Sequence, residues 1–206
     1  LRPSSPKIRP KAELSHMRRL LAQLNGSSNN DEMVATMVDS GTLRTKKAID
    51  AFRATDRATF LNEPSDPSVY VDMPLRQRLL HLSAPSIYAT ALEALELDEG
   101  HSFLNVGSGT GYFSSLVSKC AGPNALHHGV EIHQELVDHA RQKLDALGHT
   151  HVQLHHANCF ALDPSSSLRF ERIYVGAGAS QQSAAIIFRM LAVGGVIVGP
   201  FAGADG

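Results

Sequence analysis

The order of apolar and polar positions divides the chain at about Ser102. Beyond it, short apolar runs alternate with stretches of helical spacing. Segments 102–106, 125–131, 151–155, 172–175 and 195–198 read as strands, and 112–120, 133–147 and 181–191 as helices. In the second of these helices Leu136, Ala140, Leu144 and Leu147 recur three or four apart, the stripe that packs on a sheet. Strands alternating with helices of this length need crossover connections, so the spacing predicts an α/β fold with a mainly parallel sheet.

The first hundred residues are less regular. A short helix is predicted over 13–24 on Leu14, Met17, Leu20, Leu21 and Leu24, followed by a polar loop over 25–30. A second helix starts at Asn30 or Asp31, carries Met33, Val34, Met37 and Val38, and stops at Ser40-Gly41. A third covers 45–55, with Ala48, Ile49 and Phe52 on one face. Segment 62–78 holds Pro64, Pro67 and Pro74 with little periodicity and reads as a loop. Pro85 suits the entrance of a helix over 86–97, where its missing N–H costs little. This leader has too little apolar material for a core of its own, so it is expected to lie against the α/β half in one domain. No internal repeat is visible.

Composition narrows the function classes. The 206 residues are 43% hydrophobic, enough for one domain of ordinary size. Nineteen Lys and Arg against 20 Asp and Glu leave a net charge of -1 and no global basic field, so neither nucleic acid nor an anionic membrane is an expected partner. No apolar run approaches the roughly 18 residues of a membrane-spanning helix. Two cysteines, Cys120 and Cys159, do not make a disulfide scaffold. The start lacks both an initiator Met and the apolar stretch of a signal peptide, which gives the expectation of a trimmed or partial chain and a cytoplasmic location. Eleven histidines invite a metal reading, but the sequence has no HExxH or CxxC spacing, so no metal is expected.

The sharpest local signal is Asn105-Val106-Gly107-Ser108-Gly109-Thr110-Gly111-Tyr112 between a predicted strand and a helix. Glycines there let backbone approach a ligand, and the helix start offers free N–H groups. Glu131 ends the next predicted strand, 20 residues after Gly111, where a carboxylate can accept from both ribose hydroxyls of a nucleoside. The spacing is GxGxG, and the bulky Tyr112 stands where a dinucleotide fingerprint wants a small residue. No GxxxxGK sequence occurs. GxGxG with a strand-ending acid looks like the S-adenosyl-L-methionine site of class I methyltransferases.

From about Leu43 to Pro200 the chain resembles the protein-L-isoaspartate O-methyltransferase family, and within it the isoaspartyl methyltransferase domain-containing subgroup. The matching segments are AIDAFRATDRATF (48–60), LSAPSIYA (82–89), the glycine turn, HGVEIHQEL (128–136), RIYVGAGA (172–179) and LAVGGVIVGP (191–200). The resemblance implies a Rossmann-like three-layer sandwich. The arm and short helix would occupy 1–30. The methyltransferase domain would occupy 31–206, with 31–101 as helical and acceptor-loop region and 102–206 as core. It implies methyl transfer from S-adenosyl-L-methionine to an isoaspartyl carboxylate, a repair step on aged proteins. By the same resemblance Asn105, Gly107, Ser108, Gly109, Thr110 and Gly111 cradle the cofactor and Glu131 grips its ribose. Ile132 borders the adenine, with Asn158 and Cys159 at its edge. Ser83 would lie near the methyl acceptor and orient it, while the residue-level alternative is that Ser83 caps the following helix.

The acceptor side departs from the family string Thr-Ile-Ser-Ala-Pro-His. His81 replaces the threonine, Ser86 the histidine, and Tyr88 stands where a second histidine is common. His81 either pairs with the substrate carboxylate or is a plain loop histidine. The chain also stops after the last predicted strand, where the family continues with a further helix and strands. Both departures leave a second reading open: a cofactor-binding receptor for isoaspartyl proteins with little turnover. Such a receptor would meet a ubiquitin ligase adaptor through a C-terminal tail, as the subgroup resemblance implies.

Overall fold

The computed structural model describes residues 26–161, 167–176 and 181–200. The predicted arm and the helix over 13–24 lie outside the described residues. Helix α1 (Asn30–Asp39) starts where Asn29 accepts the Glu32 N–H, while the Glu32 carboxylate reaches back to Ser28. This is reciprocal capping of the first turn. Helix α2 (Lys46–Arg53) is capped by Thr45. A 3-10 turn (Arg57–Phe60) leads toward a short antiparallel hairpin, β1 (Leu75–Gln77) and β2 (Leu80–Leu82). Helix α3 (Pro85–Ala94) then begins with proline in its first turn, as expected. It stops before the predicted end at 97, and Glu96 beyond it takes a left-handed φ of 45°.

The second half alternates as predicted: β3 (Phe103–Val106), α4 (Tyr112–Ala121), β4 (His127–Glu131), α5 (Gln134–Ala146), β5 (Gln153–His156), β6 (Phe170–Val175), α6 (Gln181–Arg189) and β7 (Leu191–Val198). The strands pair in the order β5-β4-β3-β6-β7, all parallel. Strand order reverses at β3: the chain runs outward through β4 and β5, then returns to β6 on the other side. An open sheet of this kind binds ligands outside the carboxyl ends of its strands at that reversal.

The leader and the sheet share one core. Phe52 and Phe60 from the leader pack edge-on against Tyr112 of α4, and Phe113 meets Tyr174 of β6 at 4.2 Å between ring centres. Leu104, Val106, Val130, Ile173, Val175 and Ile187 form a second cluster, and Val137, Ala140, Leu144, Val152 and Leu154 a third.

Three expectations need correction. The hairpin β1–β2 occupies part of what read as loop, because three-residue strands are too short to show alternation. Strand β7 begins at Leu191 rather than 195, with an irregular register where it meets β6. The buried face of α5 is Leu136, Val137, Ala140 and Leu144, while Leu147 falls beyond the helix and stays exposed.

Gly111 caps α4 at φ 85°, and a Cβ there would stand 3.0 Å from Ala140 Cβ. Gly111→Ala therefore combines a left-handed backbone with overpacking against α5. It should lower unfolding stability by about 2 kcal/mol in urea melts. A change within a few tenths would show that α4 and α5 tolerate the methyl.

Candidate active site

A cavity of about 150 Å³ opens at the carboxyl end of β3, where the strand order reverses. The glycine turn forms one wall. Gly107 and Gly109 take φ of 77° and 53°, which only glycine adopts without strain. A Cβ on Gly109 would stand 3.9 Å from the His81 carbonyl, in ordinary van der Waals contact, so the hairpin lies against the turn there. Across from it, a Cβ on Gly176 would come within 3.1 Å of the Gly107 carbonyl, which is why glycine follows the end of β6.

Glu131 ends β4 with only 7% of its surface exposed. Its carboxylate accepts three backbone N–H groups: Gly109 at 3.0 Å, Ile132 at 2.9 Å and His133 at 3.1 Å. A carboxylate offers about four lone-pair sites, so one stays free, on the oxygen that Gly109 alone bonds. Ser108 Oγ and Asn105 Oδ1 are buried in the cavity wall without a hydrogen-bond partner, while Asn105 Nδ2 donates to Ser114 Oγ at 3.0 Å.

The acceptor wall comes from the leader. The hairpin presents Leu79 and His81, and the chain after β2 presents Ser83. Ser83 does not cap α3: the cap residue is Ala84, which makes no side-chain bond, and the first turn is held instead by Asp72, whose carboxylate accepts the Ser86 N–H at 2.9 Å. The capping reading is thereby corrected, and Ser83 stands half-buried in the cavity wall, its side chain beside the Tyr88 hydroxyl. Burial and the neighbouring Arg76, which faces His81 across the hairpin, lower the His81 pKa. The ring is therefore neutral at pH 7 and cannot offer a substrate carboxylate a full positive charge.

Of the residues singled out in the sequence, His81, Ser83, Asn105, Gly107, Ser108, Gly109, Thr110 and Glu131 line this one cavity. Gly111 does not; it packs against α5. Ile132 sits exposed beside Glu131. Asn158 and Cys159 follow β5, one residue past the bond from Ala157 N–H to Glu131 O, so they share the sheet edge with Glu131 without lining the cavity. Burial pushes the Cys159 thiol up, away from thiolate chemistry. The aromatic floor of Tyr88, Phe113 and Tyr174 was not foreseen as part of the site. Tyr88 had shown only as a departure from a family string, and the other two only as positions within a predicted helix and a predicted strand. Among the described residues no three His, Cys, Asp or Glu side chains gather as a metal site.

The profile of the protein-L-isoaspartate(D-aspartate) O-methyltransferase family matches residues 28–205. The chain belongs to that family. A protein-L-isoaspartate O-methyltransferase of Ignicoccus hospitalis is 29% identical over 170 residues, covering 82% of this chain and 80% of the relative. One from Methanococcus maripaludis strain C6 is 30% identical over 171 residues, covering 82% and 79%. A Plasmodium falciparum structure named for the same enzyme, solved with S-adenosyl-L-homocysteine, superposes with a TM-score of 0.75 at 22% identity over 86% of each chain. That likeness fixes the fold as that of an S-adenosylmethionine-dependent methyltransferase. Another structure titled protein-L-isoaspartate O-methyltransferase gives 0.73 at 25% identity, over 83% of this chain and 55% of that one.

Proposed function

We propose that the chain transfers a methyl group from S-adenosyl-L-methionine to the α-carboxylate of isoaspartyl residues in damaged proteins, as an enzyme of repair. The observation that carries this reading is the single cavity joining the Gly107–Gly111 turn and Glu131 to Ser83 and His81. Half of the wall suits a nucleoside and half faces an acceptor. The family match and the enzyme names of the relatives favour transfer over the receptor reading.

The residues fit the cofactor. A glycine turn without side chains at Gly107 and Gly109, a carboxylate with a free acceptor site and two idle buried oxygens offer what a ribose and an amino-acid tail need. Gly107, Ser108 and Gly109 would hold the tail, Glu131 the ribose hydroxyls, and Ile132, Asn158 and Cys159 the adenine edge. When bound, the sulfonium supplies an electrophilic methyl group.

The protein itself needs little acid–base chemistry. A carboxylate with a pKa near 4 is already a nucleophile at pH 7. What the chain supplies is alignment and exclusion of water. Ser83 Oγ donates to one carboxylate oxygen and leaves the other directed at the methyl carbon. Neutral His81 adds a second uncharged contact, which orients the carboxylate without neutralising it. The apolar floor of Tyr88, Phe113 and Tyr174 keeps water from competing. The substrates are isoaspartyl peptides and proteins. Among the described residues no helix is long and apolar enough to cross a membrane. We place the protein in the cytoplasm and take 31–206 as its methyltransferase domain.

The test uses methyl-labelled S-adenosyl-L-methionine with two matched peptides, one isoaspartyl and one aspartyl. Label should appear only on the isoaspartyl peptide and leave under mild base, as a carboxyl ester does. A folded protein that labels neither peptide, or both alike, would refute the assignment.

A further inference from the structure

Arg57 is the bulkiest side chain with no exposed surface among the described residues, and the chemistry above gives it no part. Neither of the ion pairs among the described residues involves it. Its Nη1 donates to the Ser83 carbonyl at 3.2 Å, while Nε and Nη2 are buried without partners. The guanidinium lies 6.0 Å from the centre of the Tyr112 ring, at the start of α4. On the other side of the same residue, the Tyr88 hydroxyl accepts the Ser83 N–H at 3.1 Å. Two elements thus grip one residue: the 3-10 turn holds its C=O and α3 holds its N–H. The Tyr88 ring is itself wedged, stacked on Phe113 and edge-on to Tyr112.

This is a poor arrangement for stability alone. A buried guanidinium keeps its charge at every accessible pH, and its idle N–H groups have lost water without gaining partners. An apolar side chain of similar length would fill the space without that penalty. What it would not provide is a directional bond to the backbone of the one residue that faces both the acceptor and the cofactor turn.

We propose that Arg57 is a positioning residue for methyl transfer. With Tyr88 it clamps the Ser83 backbone so that the Ser83 hydroxyl points into the cavity, and through Tyr112 it registers the acceptor loop against the cofactor helix. The inference rests on the role given above to Ser83. It also accounts for tyrosine at 88, whose hydroxyl completes the clamp.

The test is a double-mutant cycle in the full chain with Arg57→Met, Ser83→Ala and both together. It reads kcat and KM for the isoaspartyl peptide and, separately, the S-adenosyl-L-methionine Kd. Arg57→Met should lower kcat by about 10- to 100-fold at a temperature where the variant is folded, leaving the cofactor Kd within threefold. The double variant should be no worse than the weaker single variant, because the clamp acts only through Ser83. Tyr88→Phe should lower kcat in the same direction by less. Should Arg57→Met not fold, the cycle of Tyr88→Phe with Ser83→Ala decides by the same criterion. Losses that multiply in the double variant, turnover within threefold of the unaltered chain, or equal losses in kcat and cofactor affinity would each overturn the clamp. Full turnover by Ser83→Ala would instead remove the Ser83 role and the clamp with it.

Discussion

Glu131→Ala should weaken S-adenosyl-L-methionine binding by roughly 100-fold or more. Hydrogen bonds to a charged group are worth about 1.5–3 kcal/mol each, and two ribose hydroxyls would lose theirs. The Gly109 N–H, held at 3.0 Å by the carboxylate, would also lose its partner, so the turn itself loosens. Titration calorimetry of folded variant against the unaltered chain reads this directly. Glu131→Gln keeps one acceptor oxygen and should lose only about 10-fold. An alanine variant that binds within threefold would leave the ribose assignment without support.

Acid should destabilise this fold well before its carboxylates are titrated. His127 is buried on β4 between Phe103 and Ser118, and its pKa is pushed down to about 3, first by burial and then by His151, His149 and His128. His149, bonded to Ser115, is pushed down to about 4 by burial, Lys119 and His151. Both are neutral in the fold, whereas the unfolded chain binds their protons below pH 6.5. Their contribution is therefore fully present above pH 6.5 and is lost as pH falls from there toward 3 or 4. At pH 4.5 His127 alone should cost about 2 to 3 kcal/mol, and His149 acts in the same direction. That is a large share of the 5–15 kcal/mol typical of a domain. Urea melts at pH 7.5, 6 and 4.5 should show the midpoint falling, and His127→Leu should flatten that dependence. A variant as acid-sensitive as the unaltered chain would show that another group carries the loss.

The elements that sequence reading found are those with a repeating physical signature. Strands β3 and β6 and helices α4 and α5 carry apolar patterns that hold over four or more residues. The glycine turn stands out because left-handed φ at Gly107, Gly109 and Gly111 admits no other residue cheaply. Glu131 is legible because a strand-ending acid after such a turn has few other uses. Chain spacing does not encode long-range contacts, and these were missed. Nothing local says that Arg57 will be buried under Ser83, 26 residues away, or that Tyr88 will turn its hydroxyl to the backbone before its own helix. The hairpin escaped because β1 and β2 are shorter than any pattern can resolve. Ser83 looked as much like a helix cap as a site residue, and only the position of Ala84 decides between them. The VGAGA string is legible up to Gly176; residues 177–179 lie outside the described structure, as does the loop over 162–166.

The aromatic layer shared by the leader and the sheet bears on how such an enzyme could change its clientele. Phe52, Phe60, Tyr112 and Phe113 share one core cluster, and Phe113 carries it to the cavity, so the floor cannot be redrawn without disturbing that core. The hairpin and the first turn of α3 sit above that block. There His81 is exposed and makes few demands on the core, while Ser86 is half-buried. Acceptor preference can then drift through exchanges on this rim while the methyl donor's seat stays as it was. The departure at 81 falls on that replaceable rim, as a history of selection on the substrate side would leave it.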